Sequence, residues 1–293
     1  MTVAAAPAST GEDQLLAPVI LPTPPPRRTA VSRQRWALGV LAPALLIGLW
    51  EMVSALGWVA PNLVPSPGEV AGSAWQFFFG PASANIPGVV AFSGAGWGHL
   101  GASVSRCLIA WSAAVVVGTA LGLALGLSRL VRHLLDPLVN GLRAVPLYAW
   151  LPLALVWFGI GESAARVLIF MGALWPVVLA VGDGVLRVPK AYVETARMLG
   201  TDRRQLWYRV YLRAALPEIV TGLRLSLTLA WMCVIVGELS GTPTGVGAMM
   251  NAAREGGRID EIVVGLLVFA VVGFLADAGL RRAARPWVRW AAA

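Results

Sequence analysis

Six runs of apolar residues, each long enough to cross a lipid bilayer as a helix, punctuate this chain. The first, Trp36 to Leu56, would extend ~31 Å as an α-helix, which matches the hydrocarbon thickness of a membrane. The others run from Leu100 to Leu127, Pro137 to Ile160, Ala165 to Leu186, Pro217 to Leu239 and Glu261 to Leu280. They are continuous rather than alternating, which argues against a membrane β-barrel. Polar material is also too sparse to wet a globule: 13% of the 293 residues are charged, against roughly a quarter in a soluble domain. The expectation is an all-α polytopic membrane protein with six transmembrane helices.

Between these runs the texture changes. Residues 1–35 are small, polar and proline-rich up to Arg27-Arg28, the composition of a disordered tail. They do not read as a secretory signal, because the one apolar stretch is broken by Pro18 and precedes the arginines. Residues 36–293 form the membrane domain. After the first run, Gly57 to Trp97 is rich in proline and glycine, with a short interfacial helix predicted from Gly68 to Phe79, where Trp75, Phe77, Phe78 and Phe79 suit the headgroup zone. In the second run Gly118, Gly122 and Gly126 recur every four residues, a small-residue face for close helix packing, within the chain or across a dimer.

The most unusual segment lies between the fourth and fifth runs. Residues 188–217 read as two short helices joined at Gly200-Thr201: Pro189 starts the first, Gly200 supplies a left-handed stop, and Thr201 caps the second. Arg197, Arg203, Arg204, Arg209 and Arg213 keep this pair out of the hydrocarbon. Tyr192, Met198, Leu199, Leu206, Trp207 and Tyr211 among those arginines fit either a partner-docking surface or a helix pair lying on anionic lipid.

Charge placement sets the topology. Of the basic residues between or outside the runs, seventeen fall on the side of the N-terminus and three, Arg166, Arg254 and Arg258, on the other. Basic residues are retained in the cytoplasm, so both termini and the 188–217 insertion are expected there, in a multi-pass cell-membrane protein. The net charge of +8 is thereby mostly topological, and nucleic acid is not an expected partner.

The chain has 22 arginines and one lysine, Lys190. A nucleotide-binding GxxxxGK[ST] loop needs its lysine after glycine and before Ser or Thr; Lys190 stands in Pro189-Lys190-Ala191. ATP-driven transport would therefore need a second polypeptide to hydrolyse the nucleotide. Cys107 and Cys233 lie inside apolar runs and are expected as buried thiols, His99 and His133 are far apart, and no metal spacing or Ser/His/Asp set can be assembled. A non-catalytic subunit without metal or cofactor is expected.

Ionisable residues inside the runs include Glu51, Arg106, Arg143, Asp183, Arg224, Glu238 and Asp277. All fall within about two turns of a run's end, where long side chains snorkel. None is placed at the midplane, which weighs against an ion-coupled secondary transporter or channel. Arg106, Arg143 and Arg224 are the candidates for drawing an anionic solute into a pathway.

The stretch Glu194-Thr195-Ala196-Arg197-Met198-Leu199-Gly200, followed by Leu216-Pro217 and Gly222-Leu223-Arg224, resembles the EAA loop of binding-protein-dependent ABC importer permeases. Further pieces resemble the taurine, aliphatic sulfonate, nitrate and bicarbonate branch: Leu63-Val64-Pro65-Ser66-Pro67, Leu135-Asp136-Pro137, Arg143-Ala144-Val145-Pro146, Leu151-Pro152, Trp157-Phe158-Gly159-Ile160-Gly161-Glu162, and Gly245-Val246-Gly247. Ala276-Asp277 with Trp287-Val288-Arg289-Trp290 is most similar to the sulfonate members.

The resemblance implies a type I ABC importer permease fold (MetI-like) acting by alternating access as a homodimer, with two ATPase subunits that bind ATP and Mg, and an extracytoplasmic solute-binding protein. It places Glu194, Thr195, Ala196, Arg197, Leu199, Gly200 and Pro217 in ATPase coupling; Thr195 stands where the family usually has alanine. The implied cargo is a sulfonate or taurine, with nitrate, bicarbonate or a thiamine-precursor pyrimidine behind it. A membrane scaffold or sensor would bind a cytoplasmic partner yet move no solute, and the importer-like loop argues against it.

Overall fold

A computed structural model of the protein describes residues 33–57, 63–81 and 90–288. Residues 1–32 of the expected tail, and Arg289 and Trp290 of the expected interfacial anchor, lie outside the described residues. By internal contacts the chain divides into Met1–Leu49 and Trp50–Ala293. Among the described residues every regular element is helical: α1 (Arg33–Ala55), α2 (Pro67–Phe79), α3 (Gly96–Leu127), α4 (Arg129–Ala144), α5 (Leu147–Phe158), α6 (Glu162–Leu186), α7 (Lys190–Met198), α8 (Arg203–Gln205), α9 (Leu212–Glu238), α10 (Val246–Glu255) and α11 (Ile259–Val288). A π-helical turn, Leu206–Tyr211, joins α8 to α9 without interruption.

The short helix α2 begins where local chemistry dictates. The Ser66 hydroxyl accepts from the Glu69 amide at 3.2 Å, the Glu69 carboxylate accepts from the Ser66 amide at 2.8 Å, and Pro67 follows as a preset first residue. The interfacial expectation is met in part: Trp75 stays exposed, but Phe77 is fully buried and stacks on Phe92 and His99 at the start of α3.

In the second unit α6 lies between α3 and α9 and packs along both. The glycine face of α3 explains how closely. A Cβ on Gly118 would meet Val177, one on Gly122 would meet Val181 and the Val178 carbonyl, and one on Gly126 would meet Val185, all at 2.7–2.9 Å. Three glycines thus seat three valines spaced one turn apart on α6, so the small-residue face serves packing within the chain. Polar side chains in the apolar zone find backbone acceptors: Ser226 donates to the Ala173 carbonyl at 2.7 Å and Trp231 to the Phe269 carbonyl at 2.9 Å, tying α9 to α6 and α11. Cys107 and Cys233 are buried free thiols, as expected.

Two runs differ from the sequence expectation. The third run is not one straight helix: α4 starts at Arg129, includes Pro137, and meets α5 at a 95° bend. Val145, at φ −71 and ψ 122, is extended because the ring of Pro146 disfavours helical geometry in the residue before it. The fifth run is longer than expected, a helix from Arg203 to Glu238 that passes through Pro217. Ala215 is fully buried against Gly184 of α6, and this packing holds the helix through the lost hydrogen bond.

By length and composition four helical stretches, Gly96–Leu127, Glu162–Leu186, Leu206–Glu238 and Ile259–Trp287, can cross a membrane, or five if the bent pair is one span. The helix α1, Arg33–Ala55, is 23 residues long, which meets the roughly 20 residues that a full crossing needs. With α1, which carries the first apolar run, these helices accommodate the multi-span architecture expected from the sequence, the third run as a bent pair in place of a straight helix.

Candidate functional site

The two ends of the helical bundle carry different chemistry. At the end formed by the last turn of α6 and the start of α9, the segment 188–217 folds as two helices. Pro189 precedes α7 with extended backbone. At the other end of α7, Gly200 adopts φ +74, its amide bonds to the Arg197 carbonyl at 3.0 Å, and the Thr201 amide bonds to the Ala196 carbonyl at 3.1 Å. This is a Schellman stop, and its left-handed residue explains why glycine stands there.

The stop presents the first helix to solvent. Glu194, Thr195 and Arg197 are not buried, Met198 and Leu199 are 87% and 80% exposed, and Val193 is buried toward the bundle. Glu194 has no ion-pair partner among the described residues. Between α7, the π turn and the start of α9 opens a groove of 1140 Å³ lined by Tyr192, Thr195, Ala196, Leu199, Tyr208, Arg209, Arg213, Leu216 and Trp287.

Of the sequence-derived coupling residues, Thr195, Ala196 and Leu199 line this groove, Gly200 makes the stop beside it, and Pro217 sits half-buried within α9. Leu206 corrects the expected docking face: it is buried, and Trp207 packs on Tyr211, while Tyr208 is an exposed aromatic residue. The π turn adds a residue to the helical repeat and rotates these side chains away from their α-helical positions.

At the opposite end a buried ion cluster joins four helices. Arg106 of α3 donates from Nε to Glu162 of α6 at 2.9 Å, from a terminal nitrogen to the Thr244 carbonyl at 3.1 Å, and to Glu238 of α9. Glu238 also accepts from the Ser103 hydroxyl and from the amide of Gly247, each at 2.6 Å. The Val246 amide donates to Ser103 at 3.0 Å, and the Gly245 amide donates to His99 Nδ1 at 2.9 Å. His99 therefore carries its proton on Nε2 and donates it to the Ala91 carbonyl at 2.7 Å. The first amides of α10, which no helix can satisfy internally, are thus answered by side chains of α3 and α9.

The snorkelling expectation fails for Arg106, which is 2% exposed. Its two carboxylates lie 56 and 132 residues away in sequence, too far for any local pattern to reveal. Arg224 of α9 forms an ion pair with Asp277 of α11 at 3.0 Å, and Arg281 joins the same carboxylate. Arg143 stands apart from both groups and lines a cavity of 620 Å³ between the α4–α5 bend, α6 and α9. The three candidate pathway arginines are thus not brought together.

Comparisons with known proteins bear on both ends. The family model for the binding-protein-dependent transport system inner membrane component matches residues 114–287. The chain is 36% identical over 265 residues to the taurine transport system permease protein TauC of Escherichia coli, an alignment covering 90% of this chain and 92% of that protein. It is 33% identical over 258 residues to the putative aliphatic sulfonates transport permease protein SsuC of Bacillus subtilis, covering 88% and 89%. Against the nitrate import permease protein NrtB of Leptolyngbya laminosa it is 31% identical over 241 residues, covering 80% and 84%. In fold it is similar to a chain of the MetNI methionine ABC transporter in an inward facing conformation, with a TM-score of 0.55, 22% identity, and coverage of 63% of this chain and 92% of that one.

Proposed function

Because the chain belongs to the family of binding-protein-dependent transport system inner membrane components, in its taurine, sulfonate, nitrate and bicarbonate branch, we propose that it is the permease of an ATP-driven importer for a small anion. The observation that carries this reading is the exposed helix α7 beside its groove. Met198 and Leu199 are adjacent large apolar side chains, both exposed beside an open groove, the kind of patch that marks a contact surface. Glu194 offers a carboxylate for a basic residue on that partner.

The partner is a cytoplasmic ATPase, two copies of which act with two copies of this permease and an extracytoplasmic binding protein. Seventeen basic residues on the side of the N-terminus, against three on the other, support a cytoplasmic location for both termini and for 188–217. ATP and Mg reside on the ATPase, since this chain has no nucleotide-binding lysine loop. Closure of the ATPase pair would displace α7, and the unbroken helix Arg203–Glu238 would carry that displacement through the membrane to the ion cluster at its far end. Alternating access then follows from a difference in how the ATPase pair binds the two permease states. The names of the relatives support a sulfonate such as taurine, or nitrate, as cargo.

Proteoliposomes containing the permease, its ATPase and its binding protein test this directly. Uptake of labelled taurine, methanesulfonate or nitrate that depends on ATP is expected. Uptake by the chain alone, driven by an ion gradient, would instead identify a secondary transporter, and partner binding without any uptake would identify a scaffold.

A further inference from the structure

Within the spans, Arg106 and Arg224 are answered by carboxylates, Glu162 and Glu238 for the first and Asp277 for the second. Arg143 has no carboxylate and no side-chain hydrogen bond among the described residues. It occupies the last turn of α4, directly before the 95° bend at Val145-Pro146. That bend turns it onto the 620 Å³ cavity, to which α6 contributes residues from Met171 to Leu179. Those residues straddle the middle of α6, so the cavity opens beside the middle of that helix, and Arg143 is exposed on it. Arg143 reads as lying near a span end only if Pro137 to Ile160 is one straight helix, which the bend excludes.

In a membrane, a cation beside the middle of a spanning helix without a counter-ion is costly, and such residues mark solute pathways. No Asp or Glu lines the cavity. Trp150 and Trp175 do, and neither indole N–H has an acceptor among the described residues. We infer that Arg143, with Trp150 and Trp175, forms a binding stop for a small oxyanion headgroup, a sulfonate above all, in the translocation pathway; this rests on the importer reading. A guanidinium offers two parallel N–H groups to two oxygens of the headgroup, and indole N–H groups can serve the third. A single guanidinium also suits a stop that must release its solute, because conduction requires binding strong enough to admit the anion and weak enough to let it leave.

The test uses the complete transporter in phosphatidylcholine nanodiscs. Phenylglyoxal modifies accessible arginines, and peptide mass spectrometry reads the rate at each. Methanesulfonate is expected to slow modification of Arg143 and leave the exposed Arg282 unchanged. An unchanged rate at Arg143 overturns the site even where uptake is intact, whereas protection without uptake keeps the site and sinks the importer reading. Protection that appears only with phosphatidylglycerol, and is indifferent to methanesulfonate, assigns Arg143 to a lipid headgroup and also overturns the proposal. In uptake assays Arg143→Gln should lower methanesulfonate transport about tenfold or more, the scale of one charged hydrogen-bonding partner, and Arg143→Lys, which keeps the charge but not the two parallel N–H groups, should recover only part of it. Equal losses in the two variants indicate a packing role and count against the site.

Discussion

Arg106 on α3 and Glu238 on α9 are 132 residues apart in sequence and form an ion pair in which neither side chain is more than 2% exposed. The pair clamps the far ends of two helices that flank α6. It also holds the start of α10, since Glu238 accepts from the Gly247 amide. Burial makes such a pair a poor source of net stability but costly to break, because the remaining charge is stranded.

Replacing Glu238 with alanine should therefore destabilise the protein by about 3–5 kcal/mol. Glu238→Gln, which keeps the shape and one acceptor for Ser103 or Gly247, should cost less. Thermal unfolding in detergent, followed by tryptophan fluorescence, measures both. An alanine variant as stable as the parent would remove the clamp from this account.

Gly122 is the tightest point between α3 and α6, with the Val181 Cβ and Val178 carbonyl 2.7 Å from where its own Cβ would stand. Gly122→Leu should cost at least about 1–3 kcal/mol through overpacking. Gly98→Ala, on the same helix with nothing within 4 Å, should be neutral or stabilising by up to about 1 kcal/mol. Equal effects of the two would show that the glycines do not set the helix spacing.

Gly200→Val forces a β-branched residue into φ +74 and should weaken the α7 stop by about 1–3 kcal/mol, while Glu194→Arg reverses the docking charge. Both proteins should still insert, yet lose uptake and bind the ATPase loosely. Co-purification with the ATPase and an uptake assay read the two effects separately, and wild-type transport by either variant would falsify the coupling assignment.

The purified chain should not hydrolyse ATP, since Lys190 stands outside any phosphate-binding loop. A phosphate-release assay on the chain freed of all partner subunits checks this. Hydrolysis that persists there would require a nucleotide site that no motif in the sequence announces.

The helical course of residues 188–217 is legible in the amino-acid sequence because its signals are local. Pro189, Gly200 and the EAA-like stretch act through backbone geometry within one or two turns, and the Schellman stop forms where glycine stands. Its exposed face is only partly legible: a helical repeat of 3.6 residues would leave Leu206 outside, whereas the π turn from Leu206 to Tyr211 shifts the phase and buries it. The glycine face of α3 is visible as a pattern, but α6 settles that it meets its own chain.

Solvent and family follow from the order of residues alone. Hydrocarbon admits long apolar helices and little else, arginine placement follows the membrane sides, and the EAA-like stretch is contiguous. The surroundings of the three arginines within the spans come instead from how the helices pack, because a charge is defined by what lies around it. Arg106 meets two carboxylates from distant helices, Arg224 meets one, and the bend at Pro146 carries Arg143 to a cavity that has none. Those partners are separated along the chain by tens of residues, and the packing of α3, α6, α9 and α11 fixes which of them meet.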